Sequence, residues 1–417
     1  MKKWYNLILV SVSFYLVSCD WGGAQDENIT PNLRTLQAYE KEMVFSSSQF
    51  AIDLFHQLQE AGHPNQFYSP YSIHQALSMA MNGNEGEVLD EFVALLRYEG
   101  MSLEEANKAA KELTQFLLDV DPKVKMSIAN AIWYKQEFEV HPAFKESVTN
   151  YYQAEVAGLD MLNPQSPNII NQWVEAKTHG LIKDLIDQIP ANAVMYLVNA
   201  IYFKGDWKYR FQASKTQKAP FHVSPSQQVQ VDMMQMEGAS AFRHYSEGDL
   251  QYLEIPYSTG QYNMGIITAE SHNLDELVAG FTFEDLEKWR ENAQEANFIL
   301  KMPKFKMSYK MDNMKEDLID MGLKKPFAPD PENFTKLFDH PTEPMYISRV
   351  IHDAIIEVDE KGTEAAAATA VEVGLVSAGP HTPRPFVLDK PFVFFIQENH
   401  SGAILFMGKL GNPQLLE

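Results

Sequence analysis

Apolar residues recur along the chain at helical spacing in several segments. The spacing that begins at Phe50 and Leu54 predicts a helix that ends near Gly62. A second apolar face predicts a helix from Ser72, which can cap it, to about Met81. Further helices are predicted at 103–119, 167–187, 274–292 and 311–322.

Short runs rich in Ile, Val and aromatic residues predict strands between these helices. The runs are Met126–Tyr134, Val194–Phe203, Tyr262–Thr268, Phe298–Met302 and Arg349–Val358, with a closing hairpin of Pro391–Ile396 and Gly402–Gly408. The second run is almost wholly apolar, which is typical of a strand covered on both faces. The 417 residues would ordinarily form two or three domains. No linker divides residues 38–417, however, and the elements predict an α+β fold.

The amino terminus has the pattern of a signal peptide. Two lysines precede an apolar stretch of 11 residues, Leu7 to Val17, which is too short to span about 30 Å of hydrocarbon. The sequence from Leu16 to Cys19 resembles a bacterial lipobox, which implies cleavage after residue 18 and lipidation of the Cys19 thiol. We therefore predict a signal peptide at 1–18 and a lipidated, polar tether at 19–37. The expected location is the bacterial cell envelope, at the outer membrane or cell surface, with the inner membrane as an alternative.

Charge and cysteine content exclude several classes of protein. The 34 basic and 56 acidic residues give a net charge of −22, so nucleic acid is not an expected partner. Removal of residues 1–18, which carry two positive charges and no negative ones, changes this charge to −24. Cys19 is the single cysteine, which excludes an intramolecular disulfide and a multi-cysteine metal site. No hydrolase, zinc-protease or nucleotide-binding motif is present, so we expect no enzyme activity, metal or cofactor.

Residues 360–376 fit neither a core element nor an ordinary loop. The segment contains no proline and no aromatic residue, and its many Ala and Glu residues are compatible with a short surface helix. A period of two suits it better, because it places small and apolar side chains from Thr363 to Val373 on one face. Small side chains and a full set of backbone N–H groups are what a strand needs to enter an existing sheet.

This segment, Glu360–Ala368, resembles the hinge of the inhibitory serpins, a family of serine protease inhibitors. Five further stretches resemble serpin signatures in order and spacing, and together they span the chain from about residue 40 to Pro413. They are Phe67–Ile73, Asn171–Val174 with Thr178–Gly180, Leu197–Trp207, Met302–Phe305 and Lys390–Phe394.

The resemblance implies a single domain, 38–417, with three β-sheets, eight to nine helices and an exposed reactive-centre loop. A target serine protease, or a cysteine protease as a second class, would cleave the loop and be trapped as an acyl-enzyme while residues 363–374 insert into the main sheet. The hinge residues would be Glu360, Gly362, Thr363, Ala365, Ala366, Ala367 and Ala368. The protein would act as a monomer. The alternative is a serpin-fold carrier or binding protein that does not inhibit.

The position of the cleaved bond follows from the hinge. Serpins are cut about 17 residues from the hinge glutamate, and counting Glu360 as the first places the cut between Val376 and Ser377. Family spacing counted back from Lys390 points about four residues later. We follow the hinge count because the inserted length is mechanically constrained, and Leu375 is the alternative. A small side chain such as valine suits an elastase-like pocket.

Four polar residues lie among apolar ones: Ser69, Ser72, Asn199 and His352. Taken alone, they are expected to be hydrogen-bonded groups of the core. The resemblance places them in the serpin shutter, a polar network beneath the point where the strands of the main sheet separate. Trp207 matches the breach tryptophan at the entry point of the loop, and a plain core tryptophan is the alternative.

Overall fold

The computed structural model of the protein describes residues 29–190, 193–236, 240–339, 344–363 and 384–414. Within these ranges it has nine α-helices: α1 Ala38–Glu60, α2 Pro70–Met81, α3 Gly86–Leu95, α4 Leu103–Asp119, α5 Pro142–Tyr152, α6 Ser166–Lys177, α7 Leu274–Val278, α8 Phe283–Asn292 and α9 Lys315–Asp320.

The first eight strands in chain order are β1 Asn65–Tyr68, β2 Lys125–Lys135, β3 Glu155–Leu159, β4 Met195–Asp206, β5 Gln217–Ser224, β6 Gln227–Gln235, β7 Ser240–Glu247 and β8 Leu250–Pro256. The others are β9 Tyr262–Ala269, β10 Gln294–Pro303, β11 Phe305–Met311, β12 His352–Val358, β13 Gly362–Thr363, β14 Pro385–Val387, β15 Phe392–Glu398 and β16 Ile404–Leu410. Short 3₁₀ turns lie at Ala213–Lys215 and Lys325–Phe327.

The strands form the sheets of the predicted α+β fold, which is confirmed. One sheet has the order β11-β12-β13-β4-β2-β3 and is called the main sheet below. The others follow one path, β1-β16-β15-β9-β8-β7-β10-β6-β5, with β14 also paired to β10. Strand β10 belongs to two sheets, because Gln294–Phe298 pairs with β7 and Lys301–Pro303 pairs with β6. The second and third sheets of the predicted three are therefore joined through this strand.

Apolar side chains cover both faces of the main sheet. One face lies on the large core, which also receives α1, α2 and the hairpin β15–β16. The opposite face, called the front face below, carries a smaller cluster that includes Trp133 of β2, Ile170 of α6 and Val198 of β4. Burial on both sides explains why β4 is apolar along almost its whole length.

Two helix starts show how local sequence sets the element boundaries. Helix α4 spans the predicted 103–119, and Ser102 and Glu105 form a reciprocal capping box at its start. For α2, the expected cap at Ser72 is wrong. Ser69 is the N-cap and accepts a hydrogen bond from the backbone N–H of Ser72, because Pro70 is well suited to the first helical position.

Three predicted helices are shorter than the apolar pattern indicated. The helix predicted at 167–187 ends at Lys177, because His179 and Gly180 both have positive φ. The apolar residues from Ile182 to Ile186 pack on the front face from an irregular segment.

The other two helices were also predicted too long. The helix predicted at 274–292 is two helices, and Thr282 caps the second with Asp285. In the helix predicted at 311–322, Met311 still belongs to β11, so only Lys315–Asp320 is α-helical.

The last residues before α1 contact the folded domain. The backbone N–H of Asn32 donates to the Val120 carbonyl (2.8 Å), and Arg34 forms an ion pair with the buried Glu40. None of the helices in the described ranges is both long enough and apolar enough to cross a bilayer.

Candidate functional site

The short strand β13 lies in the middle of the main sheet, between β12 and β4. Gly362 pairs with Asp206 and Thr363 with Gly205 of β4, while Thr363 also pairs with Val358 of β12. Below Thr363, no backbone pairing joins β12 to β4 among the described residues. Within the described part of the chain, β13 therefore bridges β12 and β4 at one end of this gap, and the rest of the two strands' facing edges is unpaired.

Gly362 is required by close backbone approach. A Cβ atom at this position would lie 2.1 Å from the carbonyl oxygen of Gly205, and real Cβ atoms do not approach that closely. The preceding turn is held by Asp359, whose carboxylate accepts the N–H groups of Lys361 (2.8 Å) and Gly362 (3.2 Å). Only glycine at 362 lets the chain enter the sheet here.

An aromatic pair anchors Thr363. The side-chain oxygens of Thr363 and Tyr257 are hydrogen-bonded at 2.6 Å, and Thr363 is only 4% exposed. The Tyr257 ring stacks on Trp207 with 4.4 Å between centroids and 11° between planes. The Trp207 indole N–H donates to the Asp359 carbonyl (2.9 Å). The Trp207 backbone N–H also donates to the Lys361 carbonyl (2.7 Å), so the buried Trp207 bonds to two residues of the turn that leads into β13.

Glu360 is held at the mouth of the gap. Its carboxylate accepts hydrogen bonds from Thr216 (2.8 Å) and from the ammonium group of Lys304 (2.9 Å). Burial raises the pKa of Glu360, but the hydrogen bonds from Lys304 and Thr216 outweigh it and leave the pKa below its usual value. The carboxylate is therefore ionised at neutral pH and bound to two connecting segments, one before β5 and one between β10 and β11.

The four polar residues singled out in the sequence come together beneath the gap. The Ser69 hydroxyl donates to the Leu405 carbonyl (2.7 Å), and its backbone N–H donates to Nε2 of His352 (3.0 Å). The Ser72 hydroxyl donates to the side-chain oxygen of Asn199. Helix α2 is thereby linked to β4 on one side of the gap and to β12 on the other.

Burial keeps His352 neutral. It lowers the pKa of His352 to about 4, and Nε2 can accept the Ser69 N–H only in the unprotonated ring. The linkage between α2 and β12 therefore depends on an uncharged imidazole, which the protein has at neutral pH.

A cavity of about 40 Å³ lies in this part of the gap. Leu197 and Asn199 of β4, Val350 and His352 on the other side, and Leu77 of α2 are among its lining residues. A second cavity of about 20 Å³ lies nearer Thr363, beside Phe203 and Ile356. These volumes hold a few water molecules at most, so a polypeptide can enter only if the strands separate.

Several residues of the site were not singled out from the sequence. Tyr257 and Lys304 carry no local signal, because their roles depend on distant partners. Asn130 did carry a sequence signal, because it is a polar residue within the apolar run of β2. It is paired with Asn199 on β4, donates to the Tyr152 carbonyl (2.8 Å) and extends the polar network to α5.

Some predicted site residues lie outside the described residues. These are Cys19, Ala365, Ala366, Ala367, Ala368, Leu375, Val376 and Ser377. Within the described ranges, no group of three or more His, Cys, Asp or Glu side chains could hold a metal ion.

The sequence model of the family described as Serpin (serine protease inhibitor) matches residues 45–413, which is most of the chain. The chain belongs to the serpin family. This serpin is 31% identical to an uncharacterized serpin-like protein of Methanosarcina acetivorans, over 94% of this chain and 92% of the relative. It is 30% identical to leukocyte elastase inhibitor A of Rattus norvegicus, over 89% of this chain and 100% of the relative.

The serpin fold is also evident from a solved structure. Human thyroxine-binding globulin, crystallised in complex with its hormone, superimposes with a TM-score of 0.80 at 26% identity, over 90% of this chain and 100% of the other. The predicted family, the single domain and the fold are thus confirmed.

Proposed function

We propose that this serpin inhibits a serine protease by acting as a suicide substrate whose cleaved loop enters the gap between β12 and β4. The observation that carries the proposal is β13: Gly362 and Thr363 already occupy the first two positions of an inserted strand, above a gap across which no described residues of β12 and β4 pair. The chain that follows, from Ala365 to Ala368, has side chains small enough to pass between two strands.

The chemistry requires only the catalytic groups of the target protease. Its serine oxygen attacks the carbonyl carbon of Val376, the bond to the nitrogen of Ser377 breaks, and that nitrogen leaves as an amine after accepting a proton. An ester then joins the protease to Val376. Insertion of residues 364–374 before water hydrolyses the ester would carry the protease away from its docking position. About ten new backbone hydrogen bonds at about 1 kcal/mol each would drive the movement.

The loop sequence supports an elastase-like target. Val376, or Leu375 if the cleaved bond is shifted, offers an aliphatic side chain, whereas trypsin-like pockets require Arg or Lys. Arg384 is the one basic residue between 362 and 389, and it lies eight residues after Val376. The relative named leukocyte elastase inhibitor A agrees with this preference.

Incubation with pancreatic elastase and with trypsin, followed by denaturing electrophoresis and mass spectrometry, tests the proposal. We expect an SDS-stable complex with elastase, near the sum of the two masses less the released peptide, and cleavage after Val376. Elastase with a blocked active-site serine is the control and should form no complex. Loop cleavage that never yields a complex with any serine protease would defeat the proposal.

That negative outcome would favour the alternative, a carrier or binding protein with the serpin fold. The thyroxine-binding globulin complex shows that a protein of this fold can carry a small molecule. Non-inhibitory serpins tend to have bulky, charged or proline residues in the hinge, whereas this chain has Thr363 followed after one residue by four alanines. The hinge composition therefore favours the inhibitor.

We also propose that Cys19 carries a lipid that anchors the inhibitor to the bacterial envelope. Two or three acyl chains would bind a membrane stably, whereas one binds only marginally. Metabolic labelling with a fatty acid and detergent phase partition should place the wild-type protein in the membrane phase and the Cys19→Ser variant in the aqueous phase. Equal partition of the two proteins would refute the anchor.

A further inference from the structure

The pairing of β13 fixes a register for the strand that would follow it. Gly362 pairs with Asp206 and Thr363 with Gly205, so in a strand continued in this register each later residue would lie opposite the residue one position earlier in β4. On the other side, Thr363 pairs with Val358, so each later residue of such a strand would also lie opposite the residue one position earlier in β12. The ladders that β4 forms with β2 and β12 forms with β11 are regular, so the edges of the gap provide no reason for a register shift.

If the inserted strand continued in this register along the gap, specific side chains would come together. In an inserted strand that kept this register, Thr369 would lie opposite Asn199 on β4 and His352 on β12. Three residues later, Glu372 would lie opposite Tyr196 on β4 and, across the gap, Arg349, which precedes β12. Thr369 would thus meet polar partners beneath the sheet, and a carboxylate would arrive between a phenol and a guanidinium group.

The faces of the strands agree with these pairings. Thr363 contacts Tyr257 on the core side, so in an inserted strand the later loop residues with odd numbers would face the core and those with even numbers the front. Tyr196 packs in the front-face cluster, whereas Leu197 packs against the large core. Glu372 would therefore share a face of the completed sheet with Tyr196.

Tyr196 of β4 carries a buried hydroxyl that no described residue satisfies. It is 5% exposed, and its hydroxyl has no hydrogen-bond partner among the described residues. Burial raises the pKa of Tyr196, and the positive charge of Arg349 partly offsets the rise. A buried hydroxyl without a partner costs free energy that an arriving acceptor recovers.

Arg349 can bind a further carboxylate. Its Nε donates to the Asp312 carbonyl (2.6 Å), and one terminal nitrogen forms an ion pair with the Asp312 carboxylate at 3.4 Å. The guanidinium has five N–H donors, so these contacts do not exhaust it. Charge-assisted hydrogen bonds of this kind are stronger than neutral ones.

We propose that Tyr196 and Arg349 form a docking site for the carboxylate of Glu372, which holds the inserted strand in register at the far end of the gap. The proposal rests on the inhibitory function above. Tyr196 and Arg349 are positioning residues in it, because neither touches the protease or the cleaved bond.

The test compares intact and loop-cleaved forms of the full chain. Glu372→Gln, Arg349→Gln and their double variant are cleaved with elastase, and unfolding rates are measured in guanidinium chloride. Glu364→Gln is the matched control, since in the same register Glu364 would face the same side but lie opposite Lys204 and Glu357. We expect Glu372→Gln to leave the intact form unchanged and to speed unfolding of the cleaved form by about tenfold, with little effect from the control. The double variant should show little more than the single effect.

Exchanging the charges of Glu372 and Arg349 distinguishes loss of their ion pair from a general loss of stability. Glu372→Arg should impair insertion, and adding Arg349→Glu should restore it. A second, independent readout is a cysteine pair in a Cys19→Ser background. Ala370→Cys with Val198→Cys should oxidise to a disulfide only after cleavage, whereas Ala370→Cys with Phe203→Cys, which face opposite sides of the sheet, should not.

The outcomes distinguish this proposal from the inhibitory function. In one outcome, cleavage stabilises the wild type, but Glu372→Gln and Glu364→Gln have equal effects, the Glu372 variant shows no coupling to Arg349, and no disulfide joins positions 370 and 198. The proposed register is then wrong, while loop insertion itself is supported. If cleavage stabilises none of the proteins, insertion itself fails and both proposals fall.

Discussion

Replacing Thr363 by arginine tests the hinge directly. Thr363 is 4% exposed between β12 and β4, and its hydroxyl is bonded to Tyr257. Burying an unpaired guanidinium there would cost several kcal/mol. Withdrawing β13 would cost only its few backbone hydrogen bonds and the Tyr257 contact, at about 1 kcal/mol each. The cheaper response is withdrawal, so we expect Thr363→Arg to lower intact stability by roughly 2–3 kcal/mol.

The larger effect should appear after cleavage. The later loop residues can enter the sheet only after Thr363, and a strand that cannot keep position 363 in the sheet cannot extend, so the ester would be hydrolysed before the protease is displaced. Inhibitor activity is measured as the moles of inhibitor consumed per mole of protease inactivated, together with SDS-stable complex on gels. Thr363→Arg should be cleaved as a plain substrate, while Thr363→Ser, which keeps the hydroxyl, should still form complex. Wild-type complex formation by the arginine variant would refute the reasoning.

Three further predictions concern the same region. Gly362→Ala should destabilise the intact protein by about 1–3 kcal/mol in chemical denaturation, because its Cβ would lie 2.1 Å from the Gly205 oxygen. The control Gly280→Ala has open space around it, and equal effects would contradict the argument. The pKa of His352 is about 4 in the folded protein, below its value of about 6.5 in the unfolded chain. The contribution of neutral His352 to the free energy of unfolding is therefore complete above pH 6.5, and it falls by roughly 3 kcal/mol as the pH drops to 4. His352→Asn should lack this part of the pH dependence. If the free energy of unfolding of the two proteins changes in parallel with pH, the role of His352 is excluded. The lowered pKa of Glu360 means that its ion pair contributes above about pH 4.3 and is lost as the pH falls through the folded pKa. Glu360→Gln should thus cost about 1 kcal/mol at pH 7 and nothing in strong acid, and a deficit that persists there would point to packing instead.

Much of the fold could be predicted from local sequence. Helix α4 has the predicted bounds because its capping residues and apolar face are both local. The closing hairpin β15–β16 was found for the same reason, since two apolar runs flank a short polar turn. Where an apolar pattern continued past a backbone break, as at His179–Gly180, periodicity gave a helix that was too long. Left-handed backbone at a non-glycine residue has no reliable sequence signal.

The candidate site was predictable only in part. Ser69, Ser72, Asn199 and His352 were recognisable as polar residues in apolar surroundings, but the bonds that join them cross from α2 to β4 and β12. The roles of Tyr257 and Lys304, and of Tyr196 in the proposed docking site, had no sequence signal at all. Each depends on a partner more than fifty residues away in the chain.

The sequence by itself predicted three features of this protein: one α+β domain, a hinge of small residues, and a set of buried polar groups. Only the tertiary structure decided the register, because strand pairing is set by contacts between segments distant in sequence. The pairings of Gly362 and Thr363 set the register from which we derive the proposed neighbours of the inserted loop, Tyr196 and Arg349 among them. A shift of one residue would turn every side chain of the inserted strand to the opposite face of the main sheet.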